Sequence, residues 1–317
     1  TSGYDDASRA VVLPFEPTGR SPRFAVKVAS SRTTLMGTLR EHERLTQLHA
    51  TLPLSTARAL PRPIGMYTVA DRTAGVQSCA DGPSMNTTVS TWGRPLTAKC
   101  SDLDVVVDWL TEFATATRVD IAAAQHNWTL IYDEARAAIA DPSDVIDLLA
   151  EARRVATSTT LGTFAVHQHY DTGPWNVHID KSEPMLIDWE TDDHRPVDCL
   201  GPPLADVLYL VTYWYFLVTN VGSPADEEAA IVRLFSPSAG DATILAAQAA
   251  IDRARCALGL QRDAIPAVLV ALWAERAVYT RRRRAALGGV ADIGITRPEA
   301  YLRALAAARS TIFGRDG

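Results

Sequence analysis

The stretch from Phe164 to Asp192 constrains this chain more than any other: a short apolar run, a polar loop, then two further apolar runs separated by the turn residues Asp180 to Pro184. That pattern predicts loop, hairpin, loop. The residues able to carry chemistry fall where the apolar runs end. Asp171 in the polar loop is followed five positions later by Asn176, and beyond the hairpin a second carboxylate, Asp188, closes the run Met185-Leu186-Ile187. Asp and Asn in loops also serve as turn formers, and an Asp at a strand end as the cap of the next element. The combination, with His169 and Pro174 in the loop and Trp189 after Asp188, is what asks for a chemical reading.

His169-Tyr170-Asp171, Asn176 and Ile187-Asp188-Trp189-Glu190 together resemble the catalytic core of the protein-kinase-like phosphotransferases. The likeness is greater to the aminoglycoside phosphotransferase and choline kinase branch, whose loop reads H-G-D-x-x-x-x-N and is followed by I-D-W or I-D-F. Phosphoryl transfer needs a base that orients the acceptor hydroxyl and oxygen ligands that hold Mg2+ on the phosphates, because catalysis there is mostly positioning and charge neutralisation. The resemblance implies that Asp171 is the base and that Asn176 and Asp188 hold the metal. Two departures from it stand out. Tyr170 stands where the small-molecule kinases usually carry Gly, and Trp189-Glu190 stand where protein kinases carry Phe-Gly.

The same letters admit another chemistry. His167-x-His169-x-Asp171 looks like the H-x-H-x-D of metallo-hydrolases, with His178 and His194 nearby as further zinc ligands. That pattern usually continues with a His directly after the Asp, where this chain has Thr172, and it leaves Asn176 and Asp188 without a role.

Upstream, the apolar stretches Arg9 to Phe15 and Phe24 to Val28 flank the turn-rich Pro17 to Pro22, which predicts a hairpin. By the resemblance, Lys27 in Phe24-Ala25-Val26-Lys27-Val28 contacts the phosphates. Thr34 to Ala50 shows helical spacing of Leu35, Leu39, Leu45 and Leu48. Glu41 and Glu43 are its candidates to hold Lys27, and Glu41 is preferred because Leu45 and Leu48 follow it at the spacing of that helix in the resembling family. Gly75 to Ala80 is expected as an edge strand leading to a hinge, with the adenine against the backbone of Ser78, Cys79 and Ala80, and Asp81-Gly82-Pro83-Ser84 as the turn leaving it. A complete glycine-rich phosphate loop is missing. Ser2 and Gly3 are candidates for its tail, and the chain opens without Met, which suggests a processed product or a fragment.

Beyond the hinge, Leu103 to Ala124, Leu130 to Ala140 and a segment starting at Asp141-Pro142-Ser143-Asp144 and reaching about Thr157 predict helices. In Gly201-Pro202-Pro203-Leu204-Ala205-Asp206, Asp206 either braces the catalytic loop, as the resemblance implies, or simply caps a helix. The run Val207 to Val221 is too short to cross a bilayer and reads as a buried helix. Arg281 to Arg284 would point in every direction around a helix, which argues against a nucleic-acid groove. A formal net charge of −6 argues the same way. Four cysteines without paired spacing form neither a disulfide framework nor a zinc pattern and suggest a reducing cytoplasm.

The resemblance therefore implies an α+β, two-lobed protein-kinase-like fold in 317 residues, with a nucleotide-binding sheet lobe over 1–81 and a mostly helical lobe over 82–317. It implies transfer of the γ-phosphate of ATP or GTP, with Mg2+, to a hydroxyl of a sugar, an aminoglycoside or a similar polar small molecule. Glu190, Asp192 and Asp193, at the mouth of the acceptor cleft by the same likeness, favour a neutral or cationic acceptor. The expected partners include no nucleic acid and no membrane span. The other readings are a nucleotide-binding regulatory module without turnover and the zinc hydrolase.

Overall fold

The computed structural model describes residues 10–15, 22–69, 72–124, 127–139, 143–190, 199–236, 240–286 and 294–314. Ser2, Gly3, Asp192, Asp193 and His194 lie outside them. The chain builds two compact units, residues 1–85 with 175–193, and 86–174 with 194–317. The segment carrying Asn176 and Asp188 thus belongs to the first unit, although it follows 89 residues of the second.

In the first unit, β1 (Ala10–Val12) pairs antiparallel with β2 (Phe24–Val28), placing Val11 opposite Lys27. Ser31 then caps α1 (Arg32–Thr51): its hydroxyl accepts the Thr34 amide at 3.2 Å and Thr34 Oγ1 accepts the Ser31 amide at 2.9 Å, a reciprocal cap of the first turn. Buried Thr34, Gly37, Thr38, Glu41, Leu45 and Leu48 recur at helical spacing. Glu41 therefore lies on the inner stripe and Glu43 on the exposed one. After α2 (Leu54–Ala57), β3 (Pro63–Val69) and β4 (Arg72–Ser78) complete a sheet of order β1-β2-β4-β3. The strand expected at the edge over Gly75–Ala80 is thus internal, starting at Arg72 and ending at Ser78, because β3 pairs along its free side. A Cβ on Gly75 would come within 2.8 Å of the Thr38 methyl, so the bare backbone there lets α1 lie close over the sheet.

The chain enters the second unit through α3 (Met85–Ser90) and α4 (Leu96–Ala116). The helix expected to reach Ala124 stops at Ala116, where Thr117 turns its hydroxyl back onto the Phe113 carbonyl at 2.8 Å and β5 (Val119–Asp120) leaves to pair with a distant strand. Next come α5 (Ile131–Ala138), α6 (Ser143–Ser158) and β6 (Phe164–His167). The chain then returns to the first unit for the hairpin β7 (Val177–Asp180) and β8 (Glu183–Leu186). Its turn is only Lys181-Ser182, both left-handed (φ 47° and 69°), the two-residue geometry that matches strand twist. Asp180 and Pro184, expected in the turn, are paired strand residues. Pro184 is tolerated because a two-stranded ribbon leaves each strand an outer side that needs no amide donor. Leu186 N–H donates to Ala59 O and Ile179 N–H to Pro83 O, tying the hairpin to the first unit.

Back in the second unit, β9 (Leu200–Gly201) joins the sheet β5-β6-β9, with β6 at its centre. The helices α7 (Ala205–Val218), α8 (Pro224–Phe235), α9 (Ala242–Ala257), α10 (Ala264–Ala286), α11 (Arg297–Ala307) and α12 (Arg309–Ile312) follow. The core forms where α7 packs on α4, α8, α9 and α10, and α10 in turn on α5, α6 and α11. Trp214, Trp273 and Tyr301 are buried there. Two buried polar tips donate to carbonyls: Tyr132 Oη to Ala267 O at 2.9 Å and Trp214 Nε1 to Lys99 O at 3.3 Å. Among the described residues no helix is long and apolar enough to cross a membrane. Arg281 and Arg282 on α10 pair with Glu299 and Glu134.

Candidate active site

Lys27 points from β2 into the interior of the first unit, where it is 6% exposed. Its Nζ donates to Glu41 Oε1 and Oε2 at 2.5 and 2.8 Å, and to Asp188 Oδ1 at 3.0 Å. An ammonium with so little water needs such partners. Glu41, 2% exposed, is also used twice, since its Oε1 accepts the Trp189 amide at 3.2 Å. Trp189 is fully buried, donates Nε1 to Leu186 O at 2.8 Å, and has the Arg44 guanidinium 5.0 Å from its ring centroid. The side chain standing where protein kinases have Phe therefore anchors the segment that carries Asp188.

The hairpin register explains how Asn176 and Asp188 come together. Val177 pairs with Leu186, and the next rung is the Ile187 amide donating to Asn176 O at 2.9 Å. One residue further on, Asp188 adopts the left-handed conformation (φ 66°) with its side chain 41% exposed, while Asn176 is buried. A carboxylate and an amide are hard oxygen donors. They suit Mg2+, which usually takes one or two protein ligands and completes its shell with water and phosphate oxygens. Among the described residues no three His, Cys, Asp or Glu side chains group as metal ligands, so the zinc reading of His167, His169 and Asp171 gains no support. His169 is itself engaged, its Nδ1 accepting the Asp171 amide at 3.2 Å.

In the second unit, β6 delivers the loop that begins at Gln168. Asp206, in the first turn of α7, accepts the His169 amide at 2.7 Å and the Tyr170 amide at 3.2 Å, and its own carbonyl accepts from Thr172 Oγ1 at 2.8 Å. One buried carboxylate thus fixes consecutive amides of the loop. Tyr170 is left-handed (φ 69°), the conformation glycine adopts without cost, at the position where the resembling kinases carry Gly. Its hydroxyl donates to Leu200 O at 3.2 Å, and Arg276 donates to its carbonyl. Asp171, 43% exposed, receives a hydrogen bond from Tyr209 Oη at 3.0 Å and has Arg276 Nη2 at 3.7 Å, both on Oδ1. The Arg276 guanidinium also stacks 3.7 Å from the Tyr209 ring centroid. Burial pushes the Tyr209 phenol well above its usual pKa. Sequence reasoning missed both residues. Tyr209 falls one turn after Asp206 on an apolar helix, and Arg276 interrupts a buried helix with no motif around it.

The remaining expected residues fall as follows. At the stretch expected to border the adenine, the Ser78 amide donates to Arg62 O at 2.9 Å and the Cys79 amide to Arg23 O at 3.4 Å. Bonds donated to a base from those two amides would have to replace ones the sheet already makes. Burial raises the Cys79 thiol pKa. Glu190 lies with its carboxylate over Gly37 of α1, where any Cβ would collide with it. Its seat is in the first unit, on the helix that carries Glu41.

No protein-family model matches the chain, and no curated protein matches it in sequence. Solved structures do match it in fold. A GDP complex of an aminoglycoside 2'-phosphotransferase mutant aligns with 99% of this chain and 96% of its own at 12% identity, with a TM-score of 0.50. A glucosamine kinase in complex with glucosamine, ADP and inorganic phosphate aligns over 92% of this chain and 77% of its own at 16% identity and TM-score 0.46. An aminoglycoside phosphotransferase from Streptomyces rimosus, in complex with ADP and streptomycin, aligns over 86% and 94% at 13% identity and TM-score 0.46. The chain has the α+β, protein-kinase-like fold, with a small antiparallel sheet in the first unit and a mostly helical second unit.

Proposed function

We propose that this chain is a small-molecule phosphotransferase that moves the γ-phosphate of ATP or GTP to a hydroxyl of a sugar, an aminoglycoside or a similar polar acceptor. The observation that carries this reading is Lys27 held between Glu41 and Asp188. A buried ammonium shared by a helix glutamate and an exposed strand-end aspartate is poised to meet phosphate oxygens beside a metal. Fold alone does not specify chemistry, so the assignment rests on these side chains.

In this reading Lys27 binds the phosphates, Glu41 orients Lys27, and Asn176 and Asp188 hold Mg2+, which when bound neutralises charge on the transferring phosphoryl group. The backbone of Ser78 to Ala80 borders the adenine or guanine. Asp171 accepts the proton of the acceptor hydroxyl as the acceptor oxygen bonds to the γ-phosphorus and the bond to the bridging oxygen breaks, releasing nucleoside diphosphate. His169 and Asp206 hold the loop. Nucleotide contacts would come from the sheet side of a division near Asp81, joined by Asn176 and Asp188. Glu190, Asp192 and Asp193 would favour neutral or cationic acceptors. A soluble cytoplasmic setting fits the substrates but is likewise part of the proposal.

The test is a thermal-shift titration with ATP and GTP, each with and without Mg2+, followed by nucleotide consumption with glucosamine, streptomycin and simple polyols as acceptors. Magnesium-dependent stabilisation plus acceptor-dependent consumption is the expected result. Stabilisation without consumption across the panel points to a regulatory module. One equivalent of zinc and no response to nucleotide points to the hydrolase.

A further inference from the structure

We propose that Tyr209 and Arg276 are positioning residues for the base, fixing the Asp171 carboxylate through its Oδ1 so that it meets the acceptor hydroxyl in one orientation. The inference rests on the phosphotransferase reading and deepens it. Asp171 sits within the loop between β6 and β7, is 43% exposed, and has rotational freedom that a base must give up before it can take a proton. The Tyr209 hydroxyl, fixed on a buried helix, donates to Oδ1 at 3.0 Å. Arg276 reaches the same oxygen at 3.7 Å, donates to the carbonyl of the preceding residue, Tyr170, and stacks on Tyr209. Its guanidinium therefore locks the donor, the loop backbone and the carboxylate into one arrangement. Burial keeps the phenol protonated, so Tyr209 remains a donor across the pH range in which a kinase works. The supporting wall is aromatic: Tyr213 and Trp273 lie 4.8 and 6.1 Å from the Tyr209 ring centroid, and they hold the ring whether or not it carries its hydroxyl.

That last point makes Tyr209→Phe a clean probe, since it keeps the ring contacts and removes one hydrogen bond. With Mg–ATP or Mg–GTP and glucosamine, streptomycin or water as acceptor, Tyr209→Phe should lower kcat about 10-fold or more, the usual effect of losing a hydrogen bond to a charged group at the reacting centre. KM for the nucleotide should stay within about twofold. Arg276→Met should lose at least as much and Arg276→Lys less, with circular dichroism confirming the fold. The discriminating readout is the double variant. Added to Asp171→Asn, Tyr209→Phe should cost nothing more, because a residue that acts only through Asp171 has nothing left to position. Unchanged kcat in Tyr209→Phe, or a multiplicative loss in the double variant, overturns the proposal while leaving the phosphotransferase reading intact. A parent protein that consumes neither nucleotide with any of these acceptors overturns both.

Discussion

Glu41 shows how much one side chain carries. It neutralises a lysine that is almost fully buried and at the same time accepts the amide of Trp189, so it sets both the cation and the segment that holds Asp188. Glu41→Ala removes both contacts and leaves Lys27 with Asp188 alone. Loss of about 3 kcal/mol of stability is expected, the lower end for a broken buried pair, as a fall in the denaturant midpoint without a change in slope. The two aspartates separate by function. Asp171→Asn should cut turnover at least about 100-fold while calorimetry shows nucleotide bound as before, and Asp188→Asn should weaken binding of the magnesium–nucleotide complex. Equal affinity in Asp188→Asn and parent would remove the metal role from that residue. At this scale the sequence was informative wherever chemistry imposes spacing. Asp171 lies in the loop after β6, Asn176 and Asp188 flank the β7–β8 hairpin, and Glu41 leads a leucine stripe. Tyr209 and Arg276 reach the same carboxylate from two helices that only tertiary packing brings to it, and no local pattern records that.

Two residues of the proposed site take a backbone conformation that most residues avoid. Tyr170 and Asp188 are both left-handed, and neither is Gly. At Tyr170 the conformation costs about 1 kcal/mol, offset by the hydrogen bonds its hydroxyl and amide donate and its carbonyl accepts. Tyr170→Gly should therefore leave thermal stability within about 1 kcal/mol of the parent, relief of strain balancing lost contacts and added chain entropy. Tyr170→Val should lose about 2 kcal/mol, because a β-branched residue is a poor fit to that region. Thermal melts of the pair check it. Among the elements, α1 was legible from periodicity, α6 from its start signal, α7 from its apolar run and the β7–β8 hairpin from two apolar runs around turn residues. Val119–Asp120 was not, since a two-residue strand inside an alanine-rich stretch exists only because β6 pairs with it. The place of β4 inside the sheet was hidden for the same reason, as strand order is a property of pairing rather than of any one strand.

Four phenols bear on the stability of the second unit at alkaline pH. Tyr132, Tyr209, Tyr215 and Tyr301 are buried, and burial raises the pKa of each. The unfolded chain gives up these protons near pH 10, whereas the folded chain holds them to higher pH. The stability contributed by the neutral rings is therefore whole below about pH 10 and falls as the pH climbs toward the folded-state values. Melting temperatures from about pH 9 to 11 should decline, and Tyr301→Phe should flatten the slope even though it gives up the bond to Glu227 Oε2. A slope unchanged by that substitution would assign the alkaline loss elsewhere.

The discontinuity of the first unit has a consequence for biosynthesis. Residues 1–85 emerge from the ribosome long before residues 175–193, so the early segment waits, without its hairpin, while 89 residues of the second unit are made. Until then Lys27 lacks Asp188, Glu41 lacks the Trp189 amide, and the Ala59 carbonyl lacks Leu186. Folding of the first unit is therefore completed only once residue 193 has emerged, after part of the second unit has been made. Ribosome-bound chains halted after residue 85 should be digested rapidly by protease, and chains extended well past residue 193 should resist. Protection already complete at residue 85 would mean that the early segment folds without the hairpin.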